Sequence, residues 1–165
     1  MPAVLRVSTD DGNPADHLLM ASLKKFFFIK ARDFVHAGEA SIHIQNLLKS
    51  MHWDPALIRR IAICSYEGEM NVVIHGGDGV LNLHIENDRL VIEIIDDGPG
   101  IQDISLAMQP GYSTASDEAR EMGFGAGMGL PNMKKNADDI QIESEPGVRT
   151  RASMTFFLEP PEEAA

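Results

Sequence analysis

Residues 67–76 read EGEMNVVIHG, and they continue an apolar run, Ile61-Ala62-Ile63-Cys64, through Met70, Val72, Val73 and Ile74. That pattern asks for a buried helix, yet Glu67 and Asn71 fall four residues apart inside it. Positions i and i+4 lie one turn apart on the same helix face, so the carboxylate and the carboxamide point into one shared space. Burying both without partners is costly. Two explanations are open: the pair satisfies itself together with nearby backbone, or it faces a ligand.

Working outward, Asp54-Pro55 makes a helix start, with Asp as N-cap and Pro in the first turn, and the apolar pattern then runs to His75 before Gly76-Gly77 stops it. Upstream, EASIHIQNLLKSM (39–51) places Ile44, Leu47, Leu48 and Met51 at i, i+3, i+4 and i+7, an amphipathic helix that should lie on a sheet. KKFFFIKARDF (24–34) reads as a strand, although alternation alone cannot assign three adjacent Phe to one face. Downstream, VLNLHIE (80–86) alternates, Asn87-Asp88 turns tightly, and RLVIEIID (89–96) is a strand ending in an acid. IQDISLAM (101–108) fits one or two helical turns. Residues 109–129 carry five glycines and few apolar anchors and predict a mobile loop, the kind that is usually a functional lid or disordered. Leu130, Met133 and Ala137 mark a short helix, and DIQIES and TRASMTFFL form a hairpin across Pro146-Gly147.

The chain has 165 residues, 44% of them apolar, enough for the core of one domain, expected over 21–158 between a loose arm (1–20) and a disordered tail (159–165). A formal charge of −11 argues against a general nucleic-acid or anionic-membrane surface, because those neutralise phosphates with Lys and Arg. A phosphate-bearing ligand therefore needs local donors or a cation. Cys64 is the single cysteine, lies in an apolar run and reads as core. No basic and apolar leader opens the chain, and no run is long enough to span a bilayer, so the cytoplasm is the expected location.

Four features could do chemistry: Glu67-x-x-x-Asn71 on a helix, Asp96-Asp97-Gly98-Pro99-Gly100 after a strand, the glycine-rich loop, and Thr150 at the start of a late strand. Singly each has a bland explanation in a solvated face, a core hydrogen bond or a turn. No G-x-x-x-x-G-K-[ST] loop or dinucleotide fingerprint occurs, nor the strand and loop motifs of eukaryotic protein kinases. His36, His43, His52, His75 and His84 lack ligand spacing.

In combination the four features resemble the Bergerat ATP-binding fold of the GHKL superfamily, which includes topoisomerase ATPase subunits, histidine-kinase catalytic domains and bacterial anti-sigma-factor serine kinases. "VVIHG" after the asparagine, "GIQDISLAMQPGYST" after the glycine box and "GMGLPNMKK" at the loop's end are most similar to the anti-sigma-factor kinases and related switch kinases. The resemblance implies an α+β fold: a two-layer sandwich with a mixed, mostly antiparallel sheet, helices on one face, and a lid at about 109–129. It implies ATP and Mg²⁺ as cofactors.

By that resemblance Asn71 coordinates Mg²⁺ through its amide oxygen, and Glu67 acts as general base or orients one. Asp96 accepts a hydrogen bond from the adenine amino group, Gly98 and Gly100 keep the backbone close to the purine, and Thr150 helps hold it. Gly125, Gly127 and Gly129 let lid N–H groups wrap the phosphates, with Leu130 at the following helix start. Arg120 is the candidate lid arginine for the γ-phosphate, with Lys134 as its rival. The implied function is a Ser/Thr kinase acting on a small anti-anti-sigma-like antagonist and binding a sigma factor or similar regulator, as a homodimer without direct nucleic-acid or membrane contact. The alternative is a nucleotide-gated protein-binding switch without kinase activity. A sensor histidine kinase fragment fits less well, since His36 in FVHAGEAS lacks the H-E-x-[RK]-x-P context.

Overall fold

Alternating apolar residues build the sheet from its centre outward. The computed structural model describes residues 22–158; the arm and tail expected at 1–20 and 159–165 lie outside the described residues. In β2 (Gly79–Ile85) Leu81, Leu83 and Ile85 are buried, and in β3 (Arg89–Asp96) Leu90, Ile92 and Ile94 are buried in the same rhythm. The connecting turn is tight, with the Glu86 N–H donating to the Arg89 carbonyl at 2.8 Å. β1 (Leu23–Ile29) adds to the free edge of β2, and the hairpin of β4 (Asp139–Glu145) and β5 (Arg149–Phe157) adds to β3 through β5, giving the order β1-β2-β3-β5-β4. Every pairing among the described residues is antiparallel, where the resemblance implies a mixed, mostly antiparallel sheet.

The inner face of this sheet carries the helices. α1 (Glu39–Ser50) contributes Ile44 and Leu48, α2 (Pro55–His75) contributes Ile58, Ile61, Cys64, Val72 and Val73, and the late helix α5 (Gly129–Asn136) contributes Met133 to one core with the strands. α2 starts as predicted: the Asp54 carboxylate accepts the Leu57 N–H at 2.9 Å and Pro55 needs no donor. Gly68, in the middle of α2, costs about 1 kcal/mol of helix propensity relative to alanine. It allows the helix to settle onto β3, since a Cβ there would lie 2.1 Å from Ile94 Cδ1. Cys64 is buried as expected, with its thiol pushed up to about 12 by burial.

Two expectations are corrected. The strand expected over 24–34 stops at Ile29, because the chain leaves the sheet edge: the Ala31 N–H donates to Asp78 Oδ1 at 2.9 Å, and Arg32 adopts φ +60° with its N–H on the Val73 carbonyl. The three Phe divide, Phe27 inward against the core and Phe26 and Phe28 outward, 60% and 80% exposed. The loop expected at 109–129 is not featureless. It contains a short helix, α4 (Asp117–Glu121), capped by Ser116 and anchored by buried Ala115 and Ala119, after the predicted turn α3 (Ile104–Ala107).

Glu69 holds the helical layer together. Its carboxylate is 3% exposed and lies at the start of α1, which begins at Gly38 with no side-chain cap of its own. One oxygen accepts the N–H groups of Gly38 (3.0 Å) and Ala40 (3.2 Å), the other that of Ser41 (3.0 Å). An anion facing three otherwise unpaired donors at a helix N-terminus is stabilising both by hydrogen bonding and by the helix dipole. Glu69→Ala should therefore destabilise the protein by about 2–4 kcal/mol in urea melts, with Glu69→Gln retaining part of that. A loss below about 1 kcal/mol would show that α1 finds its donors' partners elsewhere.

Candidate functional site

A cavity of about 720 Å³ opens between α2 and the sheet, beneath the segment that carries α3 and α4. Its floor is apolar, made by Ile94, Ile142, Ala152 and Met133. Glu67 and Asn71 enter from α2 on one face, as their spacing requires, with His75 one turn further on.

Across the cavity, Asp96 closes β3 and Thr150 is the second residue of β5, and the strand register sets them directly opposite each other. Asp96 Oδ1 accepts the Gly98 N–H at 2.9 Å. Burial raises its carboxyl above the ordinary value, and the backbone N–H groups of Gly98 and Gly77 oppose that rise. The Thr150 hydroxyl lies 3.1 Å from Ser144 Oγ, which donates to the Arg149 carbonyl (3.0 Å) and accepts the Ile101 N–H (2.7 Å). With the Ser144 proton so used, Thr150 donates to Ser144, and its own lone pairs are left to accept.

The glycines close the remaining wall. Gly100, Gly125, Gly127, Gly129 and Leu130 all line the cavity. Gly127 has φ +75°, and a Cβ there would lie 2.5 Å from the Gly111 carbonyl carbon, so the lid can cross itself only with glycine at that point. At the start of α5 a Cβ on Gly129 would sit 3.1 Å from Asn71 Oδ1 and 3.4 Å from Glu67 Oε2.

Three of the predicted residues are not brought to this cavity. Gly98 is buried behind it, where a Cβ would collide with the backbone of Gly76 and Gly77 at 2.4–2.6 Å. Arg120 does not line it, because its guanidinium donates to the lid's own carbonyls at Ser113 (3.1 Å) and Ala115 (3.2 Å). Lys134 stands exposed in the last turn of α5, away from the cavity. Conversely, Asn132 was not anticipated, yet its Nδ2 donates to Glu67 Oε1 at 2.7 Å. Ser144 and Arg32 were missed as well. Only Asn132 carried a signal, one turn beyond Gly129 on a predicted helix.

Residues 62–162 match the family described as histidine kinase-, DNA gyrase B- and HSP90-like ATPase. The chain belongs to this family. Among curated relatives, the anti-sigma F factor of Thermoanaerobacter sp. (strain X514) is 36% identical over 112 residues, covering 64% of this chain and 75% of the relative. The anti-sigma F factor of Clostridium acetobutylicum is 36% identical over 108 residues, covering 61% and 72%. A solved structure, the SiaB–SiaC complex from Pseudomonas aeruginosa, matches with a TM-score of 0.57 over 80% of this chain and 88% of that chain at 11% identity, a likeness of fold. This GHKL domain is thus an ATP-binding domain similar to that of anti-sigma F factors. Among its described residues no helix is long and apolar enough to cross a membrane.

The raised Asp96 carboxyl has a consequence for stability. A group whose folded pKa is raised contributes stability at low pH that is lost as pH rises through the folded value. Asp96→Asn removes that loss, so the nucleotide-free variant should melt above wild type at neutral pH. The gain should be only about 1–3 °C, because the group is partly exposed and solvent screens part of its penalty. The gap should close on acidification below the carboxylate range; a variant that melts lower at neutral pH would mean that the hydrogen bonds from Gly98 and Gly77 outweigh burial.

Proposed function

We propose that this GHKL domain is a Mg-ATP-dependent protein serine/threonine kinase that phosphorylates a small antagonist protein of the anti-anti-sigma kind and also binds a regulatory partner such as a sigma factor. The observation that carries this reading is the convergence of Glu67, Asn71, Asp96 and Thr150 on one cavity walled by lid glycines. The anti-sigma F factors that match over about three quarters of their length support it.

In this reading Asp96 and Thr150 receive the adenine edge, two acceptors set side by side by the β3–β5 register. Gly125, Gly127 and Gly129 turn backbone N–H groups toward the phosphates, and the start of α5 adds its partial positive charge. The residues fit Mg²⁺: it keeps several waters and takes most of its other ligands from phosphate oxygens, so one protein oxygen in the right place is enough. Asn71 supplies that oxygen beside Gly129, where any larger residue would intrude. The metal would neutralise charge on the phosphates as the terminal group transfers. Glu67, held by Asn132, takes the proton from the attacking Ser or Thr hydroxyl. A homodimer belongs to this reading, supported by the exposed Phe26 and Phe28 on the outer face of the sheet.

The Glu67–Asn132 bond also favours a second reading, in which ATP and ADP only select lid positions and thereby a partner, since it ties the same carboxylate to the helix that ends the lid.

The deciding experiment incubates wild type and Glu67→Gln with γ-labelled Mg-ATP and the host's soluble extract. A kinase labels one protein at acid-stable Ser or Thr, and the variant loses at least about a hundredfold of that transfer while binding Mg-ATP within threefold of wild type. Tight binding with no transfer by wild type would leave the nucleotide-gated switch as the function. For the dimer, light scattering at working concentration should return twice the chain mass; a single-chain mass refutes it.

A further inference from the structure

The cavity has an electrostatic imbalance that the family motifs do not resolve. Glu67, Asp96 and Asp103 all line it, while the ligand of an ATP site is itself a polyanion. Arg120 is bonded to Ser113 and Ala115, Lys134 is exposed and does not line the cavity, and burial together with the nearby Arg120 charge disfavours the cationic form of His75. Among the described residues that line the cavity, Arg32 is the only Lys or Arg.

Arg32 is also placed with unusual care. It sits at φ +60°, a left-handed conformation that side chains other than glycine rarely adopt and that clusters at ligand sites. Its own N–H is fastened to the Val73 carbonyl at 3.0 Å, and the preceding Ala31 N–H to Asp78 at 2.9 Å. Two residues on, Phe34 stacks on Phe124 with ring centroids 5.5 Å apart, and Phe124 lies between Gly123 and Gly125 in the cavity wall. The loop from β1 to α1 is therefore joined to the lid on the side where the lid's glycines face the cavity. There the guanidinium meets Glu118 of α4 at 3.7 Å, with both side chains 71% exposed. A single, exposed ion pair at that distance is weak and readily exchanged. A phosphate offers a doubly charged, bidentate partner that suits the guanidinium fork better.

We infer that Arg32 is the cation that receives the terminal phosphate of the bound nucleotide, and that Glu118 holds its place until the phosphate arrives. The inference rests on the ATP-binding reading of the same cavity. Exchange of partners frees Glu118 and so makes the α4 segment sensitive to whether the nucleotide ends in a β- or a γ-phosphate.

Calorimetric titration of wild type, Arg32→Gln, Arg32→Lys and Glu118→Gln with Mg-ATP and Mg-ADP tests this. Arg32→Gln should weaken Mg-ATP about tenfold and Mg-ADP less than about threefold, with Arg32→Lys in between. Glu118→Gln should tighten Mg-ATP, because it removes the competitor. Opposite signs are the signature: if the pair is only a clasp on the lid, both variants break it and shift both nucleotides in the same direction, which overturns the inference. Unchanged Mg-ATP affinity in a folded Arg32→Gln also overturns it while leaving the ATP site intact. Failure of wild type to bind either nucleotide would instead overturn the reading of the cavity, and the inference with it.

Discussion

The close approach of α2 to β3 governs this structure, and Gly68 lets the helix lie against Ile94 there. A Cβ at that position would lie 2.1 Å from Ile94 Cδ1, so either the Ile94 side chain or the helix would have to shift. Successive residues of a helix point about 100° apart, so Glu67, Gly68 and Glu69 address three different neighbours. Glu67 faces the cavity, Gly68 meets the sheet, and Glu69 reaches the N-terminus of α1. The stretch EGE thus joins the fold to the site: the carboxylate that secures the helical layer lies two residues from the one proposed to work on the ligand. Moving either helix would move both.

The site itself works against stability. Asp96 is kept partly desolvated, and its carboxyl is raised for that reason. Glu67 and Asp103 add further negative charge to the same cavity. A fold selected only for stability would place apolar residues there, so the arrangement makes sense for an occupant that brings donors at one end and a cation at the other. In the proposed reading a nucleotide with its metal would satisfy both requirements, the purine amino group toward Asp96 and the metal on its phosphates toward Asn71.

Much of this was legible from the sequence because the signals are local. Asp54-Pro55 starts α2, alternation marks β2 and β3, and the i, i+4 spacing alone places Glu67 and Asn71 on one face. What escaped depends on long-range geometry. Glu69 bonds to residues about thirty positions away, so nothing in its neighbourhood distinguishes it from a solvated acid. Arg32 was hidden inside an overextended strand, because KKFFFIKARDF shows no breaker and the chain turns only where Asp78 and Val73 capture its N–H groups. Arg120 was expected at the cavity from its place in the lid, but two carbonyls of its own segment are nearer. α4 could have been read: Ser116 with Asp117 and Glu118 behind it is an N-cap followed by an acidic first turn, and the glycines around it obscured the pattern.

The lid is attached to the rest of the domain at two places by different kinds of contact. At its end, Asn132 holds Glu67 and Gly129 lies against Asn71, so α5 cannot shift without disturbing the two groups on α2 that face the cavity. Near its middle, the Phe34–Phe124 stack is apolar and tolerates sliding, while the Arg32–Glu118 pair is weak and exposed. The lid's own crossing, where the Gly111 N–H donates to the Gly127 carbonyl at 2.9 Å, lies between these attachments. A segment fixed firmly beside the reacting groups and loosely over the cavity mouth can open for ligand exchange without dismantling the site. Kinase and switch readings both require that asymmetry; they differ only in whether the hydroxyl placed near Glu67 belongs to a partner protein that reacts.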